Sequence, residues 1–175
     1  MDHDNCVETW TLADGVRLTL RHIAPADAAR EQAFVRGLSP QSSNRRFHGT
    51  LTELSAKDLW KFTNPDSRNA VALIVLCSGE TGDEEIGVAR YVIDPDGASC
   101  EFAIVVADAW QKRGIGTRLM SALTKHLQAS GVKRMSGSVL KSNSAMRKFV
   151  KQLDFAETDI FDDPSIVLVT KQLKN

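Results

Sequence analysis

Apolar and polar residues alternate from Val16 to Ile23 (Val-Arg-Leu-Thr-Leu-Arg-His-Ile), the two-residue period of a strand with one buried face. Asp14-Gly15 ahead of it is a turn pair. Pro25 then opens a helix predicted to run to about Gly37, because an early helical position needs no N–H. Residues 39–69 are polar and show little periodicity. The exception is a short helix from Ser55 to Phe62, with Ser55 as its cap and Leu59-Trp60 on its inner face. Val71 to Cys77 is a continuous apolar run of strand length, Ser78 to Glu84 reads as a loop, and Ile86 to Ile93 returns as the second strand of a hairpin. Asp94-Pro95-Asp96-Gly97 is a turn by composition, and Glu101 to Val106 is the next strand. Three successive antiparallel strands are the simplest arrangement.

The period then changes. Ile115, Leu119, Ala122, Leu123, His126 and Leu127 share one face at helical spacing, and Gly131 stops that helix. Lys133 to Leu140 is a strand. Ser142-Asn143 caps a second helix whose inner face is Met146, Phe149, Val150 and Leu153, and Ile166 to Thr170 is the last strand. The order is mixed α/β, ending in a strand–helix–strand–helix–strand run. No repeat or low-complexity segment interrupts the 175 residues, which suit a single domain spanning 1–175 with one core.

Composition narrows the class. The apolar fraction of 42% and charged fraction of 25% are globular averages. No apolar run is long enough to span a membrane, and the acidic start (Met1-Asp2-His3-Asp4) lacks a signal-peptide pattern. A soluble, cytoplasmic protein with no membrane partner is expected. Cys6, Cys77 and Cys100 are far apart and odd in number, and His3, His22, His48 and His126 are scattered, so neither a disulfide framework nor a metal site is expected. The net charge is zero but uneven. Ala109 to Leu153 holds ten basic residues and no acid, leaving 12 basic against 22 acidic residues elsewhere. Such a block is either an anion-binding footprint or a solvated basic face. Nucleic acid is not the expected anion, because Phe149 is the one aromatic residue between Lys112 and Lys151 available for base stacking.

The junction Trp110-Gln111-Lys112-Arg113-Gly114-Ile115-Gly116-Thr117 places two glycines where a strand gives way to a helix. Glycine lets backbone come close to a ligand, and the free N–H groups and dipole of a helix start favour a phosphate or diphosphate. One helix terminus supplies only about 0.3–2 kcal/mol to an anion, so Lys112, Arg113 and Arg118 would have to add charge-assisted bonds. The segment lacks the Gly-Lys-Ser/Thr ending of a Walker A loop. Nor does it open a Gly-x-Gly-x-x-Gly series. Taken alone, the glycine pair also fits a tight turn.

In its context of strand, Gln-x-x-Gly-x-Gly, amphipathic helix, strand, Asn and second helix, this segment resembles the GNAT superfamily of acyl-CoA N-acyltransferases. The resemblance covers about residues 14–172, and 100–155 is its specific part. It implies a mixed α/β sheet of six to seven strands and four helices, with antiparallel N-terminal strands and a splayed parallel pair in the second half. It also implies that acetyl-CoA is the co-substrate. The diphosphate would bind the amides of Gln111, Lys112, Arg113, Gly114, Ile115, Gly116 and Thr117. The pantetheine arm would run along Ile104, Val105 and Val106, with Asn143, Arg147 and Lys148 on the same side. A narrower resemblance, to the acetyltransferase domain of Pat-type bacterial protein lysine acetyltransferases, rests on a second set of residues. These are Asp14-Gly15, Leu18-x-x-Arg21-x-Ile23-x-Pro25-x-Asp27, Leu38-Ser39-Pro40, Arg46-Phe47 and Glu101-Phe102. It implies Glu101 as general base, acting on a protein amine.

A lysine amine has a pKa near 10.4, so only roughly one in a few thousand is neutral at pH 7, and a base is the usual remedy. Glu101 is the one acid between Gly97 and Asp108; the alternative is an ordinary strand-end glutamate in an ion pair. Many relatives carry a tyrosine that protonates the leaving thiolate where this chain has Val150, and a glycine where it has Asp154. Tyr91, the sole tyrosine, lies on another strand, so water or direct thiolate release must serve. A strand N–H near Val105 is expected to polarise the thioester carbonyl. Cys100 as a nucleophile is the weaker idea, since neighbouring strand positions face opposite sides. His126 is expected on the helix face near the core edge, and Phe47, Trp60 and Trp110 in core packing more than in an acceptor groove. Three functions compete: a protein lysine acetyltransferase, an acetyltransferase of small amines, and a non-catalytic acyl-CoA sensor. A homodimer is one assembly compatible with any of them.

Overall fold

The computed structural model of the protein describes residues 6–49, 51–79 and 82–173. Eight strands form one sheet in the order β1-β2-β3-β4-β5-β6-β8-β7. They are β1 (Cys6–Thr11), β2 (Arg17–His22), β3 (Ala70–Gly79), β4 (Gly82–Ile93), β5 (Ser99–Val106), β6 (Arg134–Leu140), β7 (Ala156–Ile160) and β8 (Asp163–Gln172). Five α-helices accompany them: α1 (Ala28–Gly37), α2 (Pro40–Phe47), α3 (Ala56–Thr63), α4 (Ile115–Ala129) and α5 (Ser144–Gln152). All neighbouring strands are antiparallel except β5 and β6. The mixed sheet with one parallel pair is the expected architecture. The counts differ, with eight strands for six to seven and five helices for four.

The differences have local causes. The residues of β7 are exposed or half-buried throughout, so no apolar alternation marks this edge strand. In α2 (Pro-Gln-Ser-Ser-Asn-Arg-Arg-Phe) no apolar stripe exists; the helix starts instead from local chemistry. Ser39 accepts a hydrogen bond from the Ser42 N–H at 3.2 Å, and Pro40 occupies the first turn. The β3–β4 ladder continues through Cys77, Ser78 and Gly79, paired with Glu84, Asp83 and Gly82, where a loop from Ser78 to Glu84 was expected. Residues 80 and 81 lie outside the described residues. In α3, Ser55 is the cap as expected and Leu59 packs inward with Phe62. Trp60 is 66% exposed, which corrects its inward placement: the period selects Leu59 and Phe62, one turn apart.

Each face of the sheet carries a core. One side packs α4 and α5 on Leu18, Leu20, Leu73, Val75, Tyr91, Cys100 and Phe102. Ile115, Leu119, Leu123 and Leu127 of α4 are at most 1% exposed, and each such burial is worth about 1.5–3 kcal/mol. The other side packs α1, α2 and α3 on Ala72, Ile74, Leu76 and Val88. The β3–β4 register shifts between Val75 and Leu76, so β4 carries a bulge at Ile86. No described helix is long and apolar enough to cross a membrane.

The strands β5 and β6 pair for only three residues, Ser99–Glu101 against Arg134–Ser136, and then part. At the parting point the Phe102 ring lies over the backbone of Gly137, where an added Cβ would stand 2.7 Å from the ring. From there β6 runs with β8, and β5 keeps only β4. The result is a fork with β5 as one arm.

Candidate active site

The antiparallel β4–β5 ladder decides which backbone groups of β5 face the fork. Ala107 N–H donates to Ile86 O at 2.9 Å, and hydrogen-bonded positions alternate from that point. Val105, Ala103 and Glu101 therefore direct their backbone groups at β4, while Val106, Ile104 and Phe102 direct theirs into the fork. The Ser136 hydroxyl donates to Cys100 O across the fork's base at 3.1 Å, which fits this parity. This corrects one expectation: the amides available to a ligand are those of Ile104 and Val106, and the amide of Val105 is turned to β4. The Val105 side chain joins the core beneath α1–α3.

The turn into α4 has two residues in the left-handed region, Lys112 (φ 62°) and Gly114 (φ 80°). Gly114 is the N-cap and gives no side-chain cap, so the N–H groups of Ile115, Gly116 and Thr117 have no partner among the described residues. The two glycines do different jobs. A Cβ on Gly114 would meet nothing within 4 Å, so glycine is needed there for its φ. A Cβ on Gly116 would stand 3.4 Å from the Phe149 ring, at ordinary contact distance, so this glycine marks where α5 packs against the start of α4. Gln111 turns its side-chain amide to Val106 O at 3.1 Å and fastens the turn to the end of β5.

The cations around this corner are partly spoken for. Arg113 pairs with Asp14 at 2.9 Å and lies over the Trp110 ring; Arg118 pairs with Glu8 and lies over Trp10. Arg147 pairs with Glu157 at 2.9 Å, beside an open concavity of about 320 Å³ shared with Lys141 and Asp159. Lys112 and Lys148 make no ion pair among the described residues. Asn143 caps α5: its Oδ1 accepts from the Met146 N–H at 3.2 Å, and its Nδ2 has no protein partner among the described residues. The basic block is thus a scaffold of surface ion pairs as well as a source of positive potential.

Glu101 is the last β5 residue paired to β6, opposite Ser136, and its side chain is exposed on the face away from α4. It makes no hydrogen bond or ion pair among the described residues. That face is covered by α2, which is strapped to the turn below β5 by Asp108. The Asp108 carboxylate accepts from Ser39 N–H (3.1 Å), Ser39 Oγ (2.8 Å) and Ser42 Oγ (2.8 Å). Burial opposes its ionisation, but these hydrogen bonds prevail and hold its pKa below the usual carboxylate value. The strap sets Arg46 of α2 near Glu101. Arg46 is half-buried, without hydrogen bond or ion pair among the described residues, and 4.8 Å from the centroid of its neighbour Phe47. Burial and the charge of Arg90 pull its pKa down to about 10, against the opposing pull of Glu31 and Glu101.

Behind Arg46 lies a buried cluster that sequence reasoning missed. Arg90 donates to Glu31 at 2.7 Å and to Phe62 O at 3.2 Å, with its guanidinium 4.1 Å from the Phe62 centroid. Glu85, at the β4 bulge, is 2% exposed, and among the described residues neither of its oxygens has a partner, nor does Glu31 Oε2. Burial first, and then Glu31, push the Glu85 carboxyl well above the usual range. Protonated, Glu85 supplies the O–H that Glu31 Oε2 lacks. In the sequence Glu85 stands in an exposed-looking Asp-Glu-Glu run, and only the bulge turns it inward.

The other candidates fall away from the fork. Cys100 is fully buried on the α4 side, and burial raises its thiol to about 12, so it shares no site with Glu101. Tyr91 is buried on that side too and bonds His126 Nδ1 at 2.8 Å, with His22 beyond. Phe47 and Trp110 pack against the two cores, as expected.

Unpaired amides at a helix start, beside a strand edge opened by a fork, have the chemistry to receive a long ligand with a phosphorylated end. Comparison with known proteins gives the family. Residues 36–155 match the Acetyltransferase (GNAT) family. The chain belongs to that family. It is 29% identical over 168 residues to an acetyltransferase of Pseudomonas aeruginosa, covering 96% of this chain and 89% of that one. It is 33% identical over 135 residues to the acetyltransferase Pat of Mycolicibacterium smegmatis, spanning 77% of this chain and 40% of that longer protein. The GNAT domain of S. lividans Pat superposes with a TM-score of 0.84 at 28% identity, over 95% of this chain and 96% of that one. The sheet and fork are therefore those of a GNAT acetyltransferase, for which acetyl-CoA is the acetyl donor.

Proposed function

We propose that this GNAT acetyltransferase moves the acetyl group of acetyl-CoA to the side-chain amine of a lysine on another protein, with Glu101 as general base. The observation that carries this reading is the position of Glu101. It is a solvent-reached carboxylate with no partner among the described residues, on the last rung before the strands part, facing away from the helix that presents the anion-binding corner. The amides of Ile115, Gly116 and Thr117 hold the diphosphate, and the fork-facing groups of Ile104 and Val106 align the pantetheine arm. Glu101 takes a proton from the ammonium, directly or through one water. The neutral nitrogen then bonds to the thioester carbonyl carbon, whose oxygen draws on a fork-facing N–H, and the C–S bond breaks. Val150 is fully buried and Tyr91 lies on the far face, so water relays to the departing thiolate the second proton, which the nitrogen sheds as the amide forms.

Release of free thiol from acetyl-CoA, with a protein extract or with a polyamine mixture, tests the acceptor. Release that requires protein supports the proposal. Release only with small amines replaces it with a small-amine acetyltransferase, and binding without release makes the chain an acyl-CoA sensor. Glu101→Gln is expected to slow transfer at least tenfold, since general-base catalysis is commonly worth about 10²–10⁴-fold, while CoA binding is kept. Unchanged turnover removes Glu101 from the mechanism.

A further inference from the structure

Arg46 is a guanidinium without hydrogen bond or ion pair among the described residues, on the helix that covers the same face as the proposed base. The charges that act on it come from three elements: Glu31 of α1, Arg90 of β4 and Glu101 of β5. Glu31 is already bonded to Arg90 at 2.7 Å, and Glu85 holds its proton under burial. Of the two carboxylates whose charge acts on Arg46 among the described residues, Glu101 is therefore the one left to balance it. In the reaction Glu101 meets the acceptor's ammonium and takes its proton, so Arg46 loses its counter-charge at the step where chemistry occurs. An uncompensated, half-buried guanidinium is unfavourable, and a planar fork of donors is best matched by a carboxylate.

We infer that Arg46 selects the acceptor by binding a carboxylate that the acceptor carries beside its reactive amine. This deepens the proposed function, on which it rests. For a protein acceptor the carboxylate is an Asp or Glu flanking the target lysine; for a small acceptor it is the α-carboxylate of an amino acid. A concavity of about 340 Å³, lined by Arg46's neighbour Phe47 with Gly49, Leu51, Leu54, Asp58 and Phe62, gives the rest of the acceptor a place to lie.

The test is a ratio of kcat/KM values. Two lysine peptides differ only in having Glu or Gln on both sides of the lysine; free lysine and lysine amide form the second pair. The wild-type protein is expected to favour the Glu peptide about tenfold, the scale of a hydrogen-bonded charge pair. In Arg46→Gln that ratio falls toward one, and Arg46→Lys, which keeps charge but loses the fork, lies between. Should Arg46→Gln fail to fold, as judged by its thermal melt, Arg46→Lys alone decides. A preference seen only for lysine over its amide, and lost in the variant, keeps the carboxylate anchor and assigns it to a free amino acid. Equal rates within both pairs, or a preference untouched by substitution, overturn the inference while leaving the acetyltransferase reading intact. No acetylation of any amine overturns both.

Discussion

The parting of β5 from β6 makes a quantitative prediction at Gly137. A methyl group there would sit 2.7 Å from Phe102 Cε1 and 3.1 Å from two further ring atoms. Ordinary contact begins near 3.4 Å, so the ring must retreat by about 0.7 Å. It has little room, being 4% exposed with the Phe155 ring centred 5.3 Å away. Overpacking of this kind costs about 1–3 kcal/mol, while replacing glycine by alanine returns about 0.4–1 kcal/mol from the unfolded chain. Gly137→Ala should therefore lose about 1–2 kcal/mol, a fall of about 2–8 °C in melting temperature for a chain of this size. Thermal denaturation followed by circular dichroism measures it. The clash is specific, so the loss should largely vanish in a Phe102→Leu background, where the ring is gone. An unchanged or raised melting temperature for Gly137→Ala, or the same loss in both backgrounds, refutes the claim that Phe102 and Gly137 wedge the fork.

Glu85 gives a pH signature. Its folded pKa lies above its unfolded value of about 4.3, so the folded state keeps a proton that the unfolded state has released. Stability then declines as pH rises from about 4.3 toward the folded value. Glu85→Gln, which copies the protonated acid, should melt higher than wild type at pH 8 with the gap closing by pH 4; a variant less stable by the same amount at both would refute the buried acid. Gly114→Ala imposes a left-handed φ on a residue with a Cβ, at about 1–2 kcal/mol. Because the Cβ itself meets nothing, that strain is expected to appear as a weaker calorimetric affinity for CoA, about five- to thirtyfold, and an unchanged affinity would detach the turn from binding.

The second half of the chain was the more legible half. The apolar face of α4, the Gly-x-Gly turn, the Asn143 cap and the inner face of α5 all arise from contacts local in sequence, and the structure has each in place. What could not be read depends on distant partners. No periodicity announces α2, whose position comes from Asp108 reaching back to Ser39 and Ser42. The direction of each amide along β5 follows from the phase of the β4 ladder, so of the expected Ile104, Val105 and Val106 only the first and last turn their amides to the fork. Arg113, Arg118 and Arg147 look free in the sequence, yet the first two meet carboxylates about a hundred residues away, Asp14 and Glu8, and the third meets Glu157 of the next strand. Glu85 looks solvated, and a bulge buries it. The site was legible where chemistry demands a backbone shape, and illegible where it depends on which side chains the fold brings to one face.

A crystal structure of the protein with acetyl-CoA tests the central claim most directly. The account predicts diphosphate oxygens within hydrogen-bond distance of the amides of Ile115, Gly116 and Thr117, with the pantetheine arm laid against Ile104 and Val106. A diphosphate held elsewhere, with those amides closed off or facing only solvent, would contradict it.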